Sequence, residues 1–160
     1  MFIGGAIADV ERMAPVLEAV TPHGTYIGEL GQAAAAKLAT NLVLGLNRAA
    51  LAEGMALAEA LGIARGRYLE LLLDSAATSR AAQEKGPMMV ADQFEPPVAT
   101  VAQHAKDVRL MLELGSASGQ SLPMSELHQS ILEQSIARGD GLLDNAAVIR
   151  VWTAARTKGE

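Results

Sequence analysis

Two lysines stand where a side-chain amine could do chemistry. Lys37 lies in GQAAAAKLATN, with Asn41 four residues on and Arg48 a further seven. At about 100° per residue these three share one face of a helix, a polar stripe through sequence that is otherwise mostly Ala, Leu and Val. A lysine held near the start of a helix in a half-buried cleft can serve as a general acid or base, because desolvation and the positive helix end both disfavour the ammonium. A structural reading stays open beside it, in which Lys37 snorkels to water and Asn41 satisfies a neighbouring backbone group. The second amine is Lys106, adjacent to Asp107 in VAQHAKDVRLMLEL; alone, such a pair reads as solvated surface. His23, His104 and His128 have no metal-ligand spacing and read as ordinary polar residues, so no metal site is expected. The chain has no cysteine, which removes thiolate catalysis, disulfides and zinc fingers. Walker, H-E-x-x-H, G-x-S-x-G and G-x-G-x-x-G sequences are all absent from these residues.

The element that must position Lys37 is a long helix. From Gly31 to Ile63 there are four charged side chains, Lys37, Arg48, Glu53 and Glu59, so nearly all of its surface is expected to be covered by protein. About 30 residues make a helix of about 45 Å, long enough to run through a core and into a partner subunit. Its longest uncharged run is too short for a bilayer crossing. Before it, Phe2-Ile3 leading to Gly4-Gly5 reads as a strand end, ADVERMAPVLEAV as a helix broken or kinked at Pro15, and HGTYIG as a second short strand. After it, Gly62 marks a stop. ARGRYLELLLDSA reads as a helix with Tyr68, Leu71 and Leu72 inward, and Thr78, Ser79 and Arg80 are available for capping the next. GPMMVADQFEPPVAT, with Pro87, Pro96 and Pro97, reads as an irregular connection. A helix ending near Gly115 takes Val108, Leu110, Met111, Leu112 and Leu114 as its apolar face. Another opens at Pro123 with a Ser125 cap and a stripe of Leu127, Ile131, Leu132 and Ile136. The final short helix, LLDNAAVIRVWTAA, takes Asp144 or Asn145 as cap and turns Val148, Ile149 and Trp152 inward.

The spacing Gly28-x-x-Gly31-x-Ala33-x-x-x-Lys37-x-x-x-Asn41 resembles the catalytic-lysine motif of the β-hydroxyacid dehydrogenase family, which includes 3-hydroxyisobutyrate dehydrogenase and the glyoxylate and succinic semialdehyde reductases. Ala33 stands where the family usually has a third glycine. The Lys106-Asp107 pair, followed by Val108 and by GQSLPM downstream, resembles a second family motif, and Gly139-Asp140 with Asp144-x-Ala146 resembles its closing pattern. Ala99 stands where members often carry an aromatic residue, which enlarges the expected substrate pocket. The resemblance covers Met1 to Trp152. It implies a mainly all-α fold, the 6-phosphogluconate dehydrogenase C-terminal-like helical domain around one long helix, preceded by a short β-α-β remnant of a Rossmann domain. The expected boundaries are 1–27 for that remnant and 28–160 for a helical substrate-binding and dimerisation domain. By the resemblance Lys37 is the proton donor or acceptor, Asn41 positions substrate, Lys106 with Asp107 completes the cleft, and Ser79 matches a serine lining it. Gly28, Gly31 and Lys106 border the cofactor, NAD or NADP, and the substrate is a small hydroxy acid.

Composition narrows the remaining classes. A formal charge of -5 gives no support for nucleic-acid or anionic-membrane binding, which shows as a basic patch. The N-terminus lacks the basic region and apolar core of a signal peptide, so a cytoplasmic protein is expected. Aromatic residues make up 3% of the chain, so the core must be Ala, Leu, Val and Met, which suits closely packed helices. Two functions stay open. One is the substrate-binding half of a dehydrogenase whose Rossmann domain comes as a separate chain, the 160 residues alone being expected to be inactive. The other is a non-catalytic helical dimerisation module or truncated gene product. Under both, a homodimer through the long helix is expected, because so apolar a surface marks an association site.

Overall fold

A computed structural model describes residues 1–153. The last two residues expected in the final helix, 154–155, and the TKGE tail lie outside them. The chain divides into two units, Met1–Asn41 and a second from Leu42 onward.

In the first unit, strand β1 (Phe2–Gly4) is followed by helices α1 (Ile7–Arg12) and α2 (Ala14–Val20) and by strand β2 (Thr25–Gly28). The strands pair in parallel, Phe2 opposite Thr25 and Ile3 opposite Tyr26, with an irregularity before Gly4 meets Gly28. This is the expected β-α-β unit. The helix divides at Met13 because Pro15 has no N–H to donate to a preceding turn but is accepted in the first turn of a new helix.

Helix α3 (Gln32–Ala60) begins in the first unit and continues into the second; its 29 residues make a rod of about 44 Å. It stops where Ile63 N–H reaches back to the Ala58 carbonyl across Gly62, the six-to-one bond of a helix end. Its buried residues are Gly45, Arg48, Leu51, Ala52, Met55, Ala56 and Ala58. The stretch before Gly45 has none, so the expectation that nearly the whole helix is covered does not hold within one chain.

The second unit is helical. α4 (Arg65–Leu73) and α5 (Arg80–Ala91) pair closely where Gly86 faces Leu69. α6 (Val101–Ala117) and α7 (Pro123–Ala137) form a helical hairpin. Two 3-10 turns, Asp140–Leu142 and Asn145–Ile149, lead into α8 (Arg150–Thr153). Residues Ala146 to Ile149 are fully buried and, with Met55, Met89, Val101, Val108 and Leu132, make up an aliphatic core. Phe94 is the buried aromatic residue, with the Arg150 guanidinium 4.8 Å over its ring.

Several local expectations are corrected. α5 continues through Pro87 to Ala91 and ends at Asp92 in the left-handed region; the proline ring sits on an exposed face of the helix. α7 opens at Pro123 after Leu122, without a side-chain cap, and Ser125 is buried inside it. The inward faces also differ. Leu71, Leu110, Leu114, Leu127 and Ile136 are exposed, while α4 turns in Leu69, α6 turns in Val101, His104, Ala105, Val108, Met111 and Gly115, and α7 turns in Ser125, His128, Gln129, Leu132 and Ser135. Each set has helical spacing, but in α7 it is mostly polar.

Candidate functional site

In the first unit the chain turns from β2 into α3 through Gly28 and Gly31, both at positive φ (146° and 91°), conformations that an L side chain adopts only with strain. The Gln32 side-chain oxygen accepts from the Glu29 N–H at 3.0 Å and fixes the entry to α3. Ala33, which replaces the family's third glycine, is accommodated from the other side. A β-carbon on Gly4 would lie 3.1 Å from the Ala33 methyl, so the bare Gly4 backbone makes the space that Ala33 uses.

Lys37 follows one turn later. It borders a groove of about 460 Å³ lined by Met1, Phe2, Ala33, Ala34 and Lys37 itself. The walls are apolar and the one amine is exposed, so the burial expected for Lys37 is not met within the chain. Among the described residues it forms no ion pair, which leaves its Nζ available to a ligand. Asn41, the next turn on, is half-buried.

In the second unit, the Thr100 hydroxyl accepts from the Gln103 N–H at 3.1 Å and starts α6. Lys106 is exposed and Asp107 half-buried; among the described residues they form no ion pair with each other. Ser79 is the N-cap of α5, its Oγ accepting from the Ala82 N–H at 3.1 Å, so the hydroxyl already has a structural task.

What holds α6 in place is a buried ion pair absent from the sequence reading. The Asp144 carboxylate, fully buried, accepts from Lys85 Nζ at 2.8 and 2.9 Å, from the Val98 N–H at 3.0 Å and from the Ala146 N–H at 2.9 Å. Burial pushes this carboxyl up, but the Lys85 and backbone hydrogen bonds outweigh it and hold it below the usual carboxylate range. Backbone bonds from Val101 to Leu143, Asp144 to Phe94 and Asn145 to Ala99 complete the brace at the entry to α6. Asp144 is also the cap expected for the last helical segment. Arg48, His104 and His128 are buried as well, whereas the sequence reading treats the histidines as ordinary polar residues.

A profile of the family described as NAD-binding of NADP-dependent 3-hydroxyisobutyrate dehydrogenase matches residues 31–152. The chain belongs to this family. It is 33% identical to 2-(hydroxymethyl)glutarate dehydrogenase of Eubacterium barkeri, over 95% of the chain and 50% of that protein. It is 28% identical to 2-hydroxy-3-oxopropionate reductase of Escherichia coli, over 94% of the chain and 51% of that protein. The structure superposes on 3-hydroxyisobutyrate dehydrogenase from Salmonella typhimurium with a TM-score of 0.85 at 27% identity, covering 92% of the chain and 52% of the other. The chain thus spans about half the length of the relatives it matches. The family resemblance drawn from the two lysine motifs holds, and so does the mainly helical fold with a small β-α-β unit. Among the described residues no helix is long and apolar enough to cross a membrane.

Toward a dinucleotide the described residues offer an incomplete fit. β1 leads through Gly4-Gly5 into α1, which has six residues and no side-chain cap, and no glycine-rich turn of the kind that cradles a pyrophosphate lies between them. The groove beside Lys37 is the part that suits a small reacting group.

Proposed function

We propose that residues 28–160 are the substrate-binding and dimerisation portion of an NAD(P)-dependent β-hydroxyacid dehydrogenase acting on the CH–OH group of a small hydroxy acid. The observation that carries this reading is Lys37, without an ion-pair partner among the described residues, at the edge of an apolar groove and one turn before Asn41. When bound, the nicotinamide supplies the hydride chemistry. The chain's own part is to handle the proton: Lys37 Nζ takes it from the substrate hydroxyl during oxidation or returns it to the carbonyl oxygen during reduction. Asn41 orients the substrate through its amide, and Lys106 attracts the carboxylate while Asp107 helps hold the cleft; Ser79 lines it on the same reading. Gly28 and Gly31 lie on the cofactor side. Whether NAD or NADP serves is decided by residues of a G-x-G-x-x-G domain that is not among these 160, so on this reading the 160 residues alone do not turn over substrate, and a domain carrying that turn is needed in addition.

A second reading, a non-catalytic helical dimerisation module, is favoured by the exposed apolar residues of α3, among them Val43, Leu44 and Leu57. Nuclear magnetic resonance titration of the chain separates the two. With 2-(hydroxymethyl)glutarate or 3-hydroxyisobutyrate, saturable shifts at Lys37, Asn41 and Lys106 that vanish in Lys37→Ala are the expected result. No shift at any of them up to tens of millimolar ligand would leave the dimerisation module as the better account. Isothermal titration with NADH and NADPH measures how far these residues hold a cofactor unaided.

A further inference from the structure

The buried groups that the proposed reaction leaves unused meet inside the second unit. α3 passes α6 and α7 at Gly45, where a β-carbon would stand 2.5 Å from Nε2 of His104 and 2.9 Å from Cε1 of His128. The two imidazoles are tilted against each other with their centroids 5.1 Å apart. One turn further along α3, Arg48 is 3% exposed and acts electrostatically on both rings. Its Nε and Nη2, and the Nε2 of each histidine, are sealed from solvent with no hydrogen-bond partner among the described residues. Buried polar groups are almost always satisfied by protein, water or an ion, and an unsatisfied charged donor is the most costly exception.

The charges show which kind of partner is missing. The carboxylate that acts on Arg48 is Asp144, and both Asp144 oxygens are already engaged by Lys85 and two backbone N–H groups. With the imidazoles neutral and Lys85 paired to Asp144, one positive charge is left over, that of Arg48, whose Nε and Nη2 are sealed from solvent. Burial of such a charge is destabilising unless a counter-charge accompanies it.

We propose that Arg48, His104 and His128 form a binding site for one small monovalent anion, of the halide or formate class, in the core of the second unit. Arg48 supplies the charge and two N–H donors, and each imidazole, in the tautomer protonated at Nε2, supplies one more. One negative charge balances the group, whereas a sulfate would overbalance it. A metal ion does not suit the same place: the guanidinium repels it, and no set of three histidine, cysteine or carboxylate ligands exists among the described residues. Gly45 lets α3 lie against the two rings, because a β-carbon there would overlap both and displace the groups that bind the anion.

Bromide is the probe. In crystals of the unmodified chain grown with bromide at pH 7, an anomalous peak within hydrogen-bonding distance of the Arg48 guanidinium and at least one imidazole Nε2 is expected. A water at that position with no anomalous signal, or Arg48 turned onto a carboxylate, overturns the site. In solution, replacing gluconate by bromide or formate at constant ionic strength raises the thermal midpoint with a saturable dependence, because the anion binds the folded state. Arg48→Met weakens that apparent affinity about tenfold or more. An equal response in the wild type and in Arg48→Met overturns the proposal, and so does no response in the wild type. Should Arg48→Met not fold, Gly45→Ala is the second variant, with the same loss of response expected, and the bromide crystals need no variant at all.

Discussion

At the scale of single residues, Lys37 and Lys85 stand in opposite surroundings. Lys37 is exposed beside its groove, so Lys37→Ala removes no structural contact and, on the proposed function, only a ligand contact. Its unfolding free energy in urea should stay within about 0.5 kcal/mol of wild type, the range of ordinary surface changes, while hydroxy-acid binding is lost. Lys85 is the opposite case. Its side chain is 12% exposed and its partner Asp144 is fully buried, with the salt bridge joined by two backbone donors. Asp144→Ala strips the carboxylate from Lys85, Val98 and Ala146 together and should cost about 3–5 kcal/mol, the range for breaking a buried pair; urea unfolding measures it. A loss below 1 kcal/mol would mean that Lys85 escapes to solvent and the brace at the start of α6 re-forms through backbone bonds alone.

At the scale of elements, the α4–α5 and α6–α7 contacts make two further predictions. A β-carbon at Gly86 would stand 2.4 Å from Leu69 Cδ1, inside the crossing of α4 and α5. Gly86→Ala gains helix propensity but overpacks this crossing, and a net loss of about 1–3 kcal/mol is expected by urea unfolding. Between α6 and α7, burial, with the nearby Arg48 charge, lowers the His104 imidazole to about 3, His128 contributing, and the His128 imidazole to about 4. Unfolded histidines titrate near 6.5. Below that pH the unfolded chain binds protons that the fold refuses, so the contribution is fully present above about 6.5 and is lost as pH falls toward 4. In gluconate buffer the loss should approach about 1.4 kcal/mol per pH unit for each imidazole. His128→Gln should remove about half of that slope, and bromide should flatten it, since an anion beside the rings eases their protonation. A flat profile between pH 6.5 and 5 in gluconate would show that the rings reach water. These same helices mark the limit of what the sequence makes legible. The break at Pro15, the length of α3, the stop at Gly62, the Ser79 cap and the one-turn spacing of Lys37 and Asn41 all follow from local rules. The inward faces of α6 and α7 do not, because a search for apolar stripes passes over one built of Ser125, His128, Gln129, Leu132 and Ser135. The exposure of Lys37 and the burial of Arg48, eleven residues apart on one helix, are likewise tertiary facts. The readable trace of the buried cluster is Gly45, a glycine inside a long helix where propensity alone disfavours it.

At the scale of the whole molecule, the distribution of apolar surface argues for self-association. α3 has no buried residue before Gly45; Val43 and Leu57 on it are 56% and 60% exposed, and Leu61 in the turn just past its end is 71% exposed. A helix of about 44 Å with such side chains offers enough length for an interface of about 800 Å² per partner, the size of a stable complex, and two copies of one helix supply the self-complementary surface that a two-fold dimer requires. Charge does not oppose this contact, since of the four charged side chains between Gly31 and Ile63 Arg48 is buried and Glu59 pairs with Arg65, leaving one exposed lysine, Lys37, and one exposed carboxylate, Glu53. Sedimentation equilibrium of the 160-residue chain should therefore show a dimer at micromolar concentration. Leu57→Glu with Leu61→Glu places two carboxylates per copy where the apolar surface was, and the dimer should weaken by at least about a hundredfold, as like charges are brought together at an interface. Both positions face solvent, so the circular dichroism of the double variant should match wild type while its mass falls to that of one chain. A wild-type protein that stays a compact monomer at tens of micromolar would remove the dimer from the proposal, and a double variant that stays dimeric would move the interface off the second half of α3, leaving Leu110 and Leu114 of α6 with Met124 and Leu127 of α7 as the next apolar surface to test.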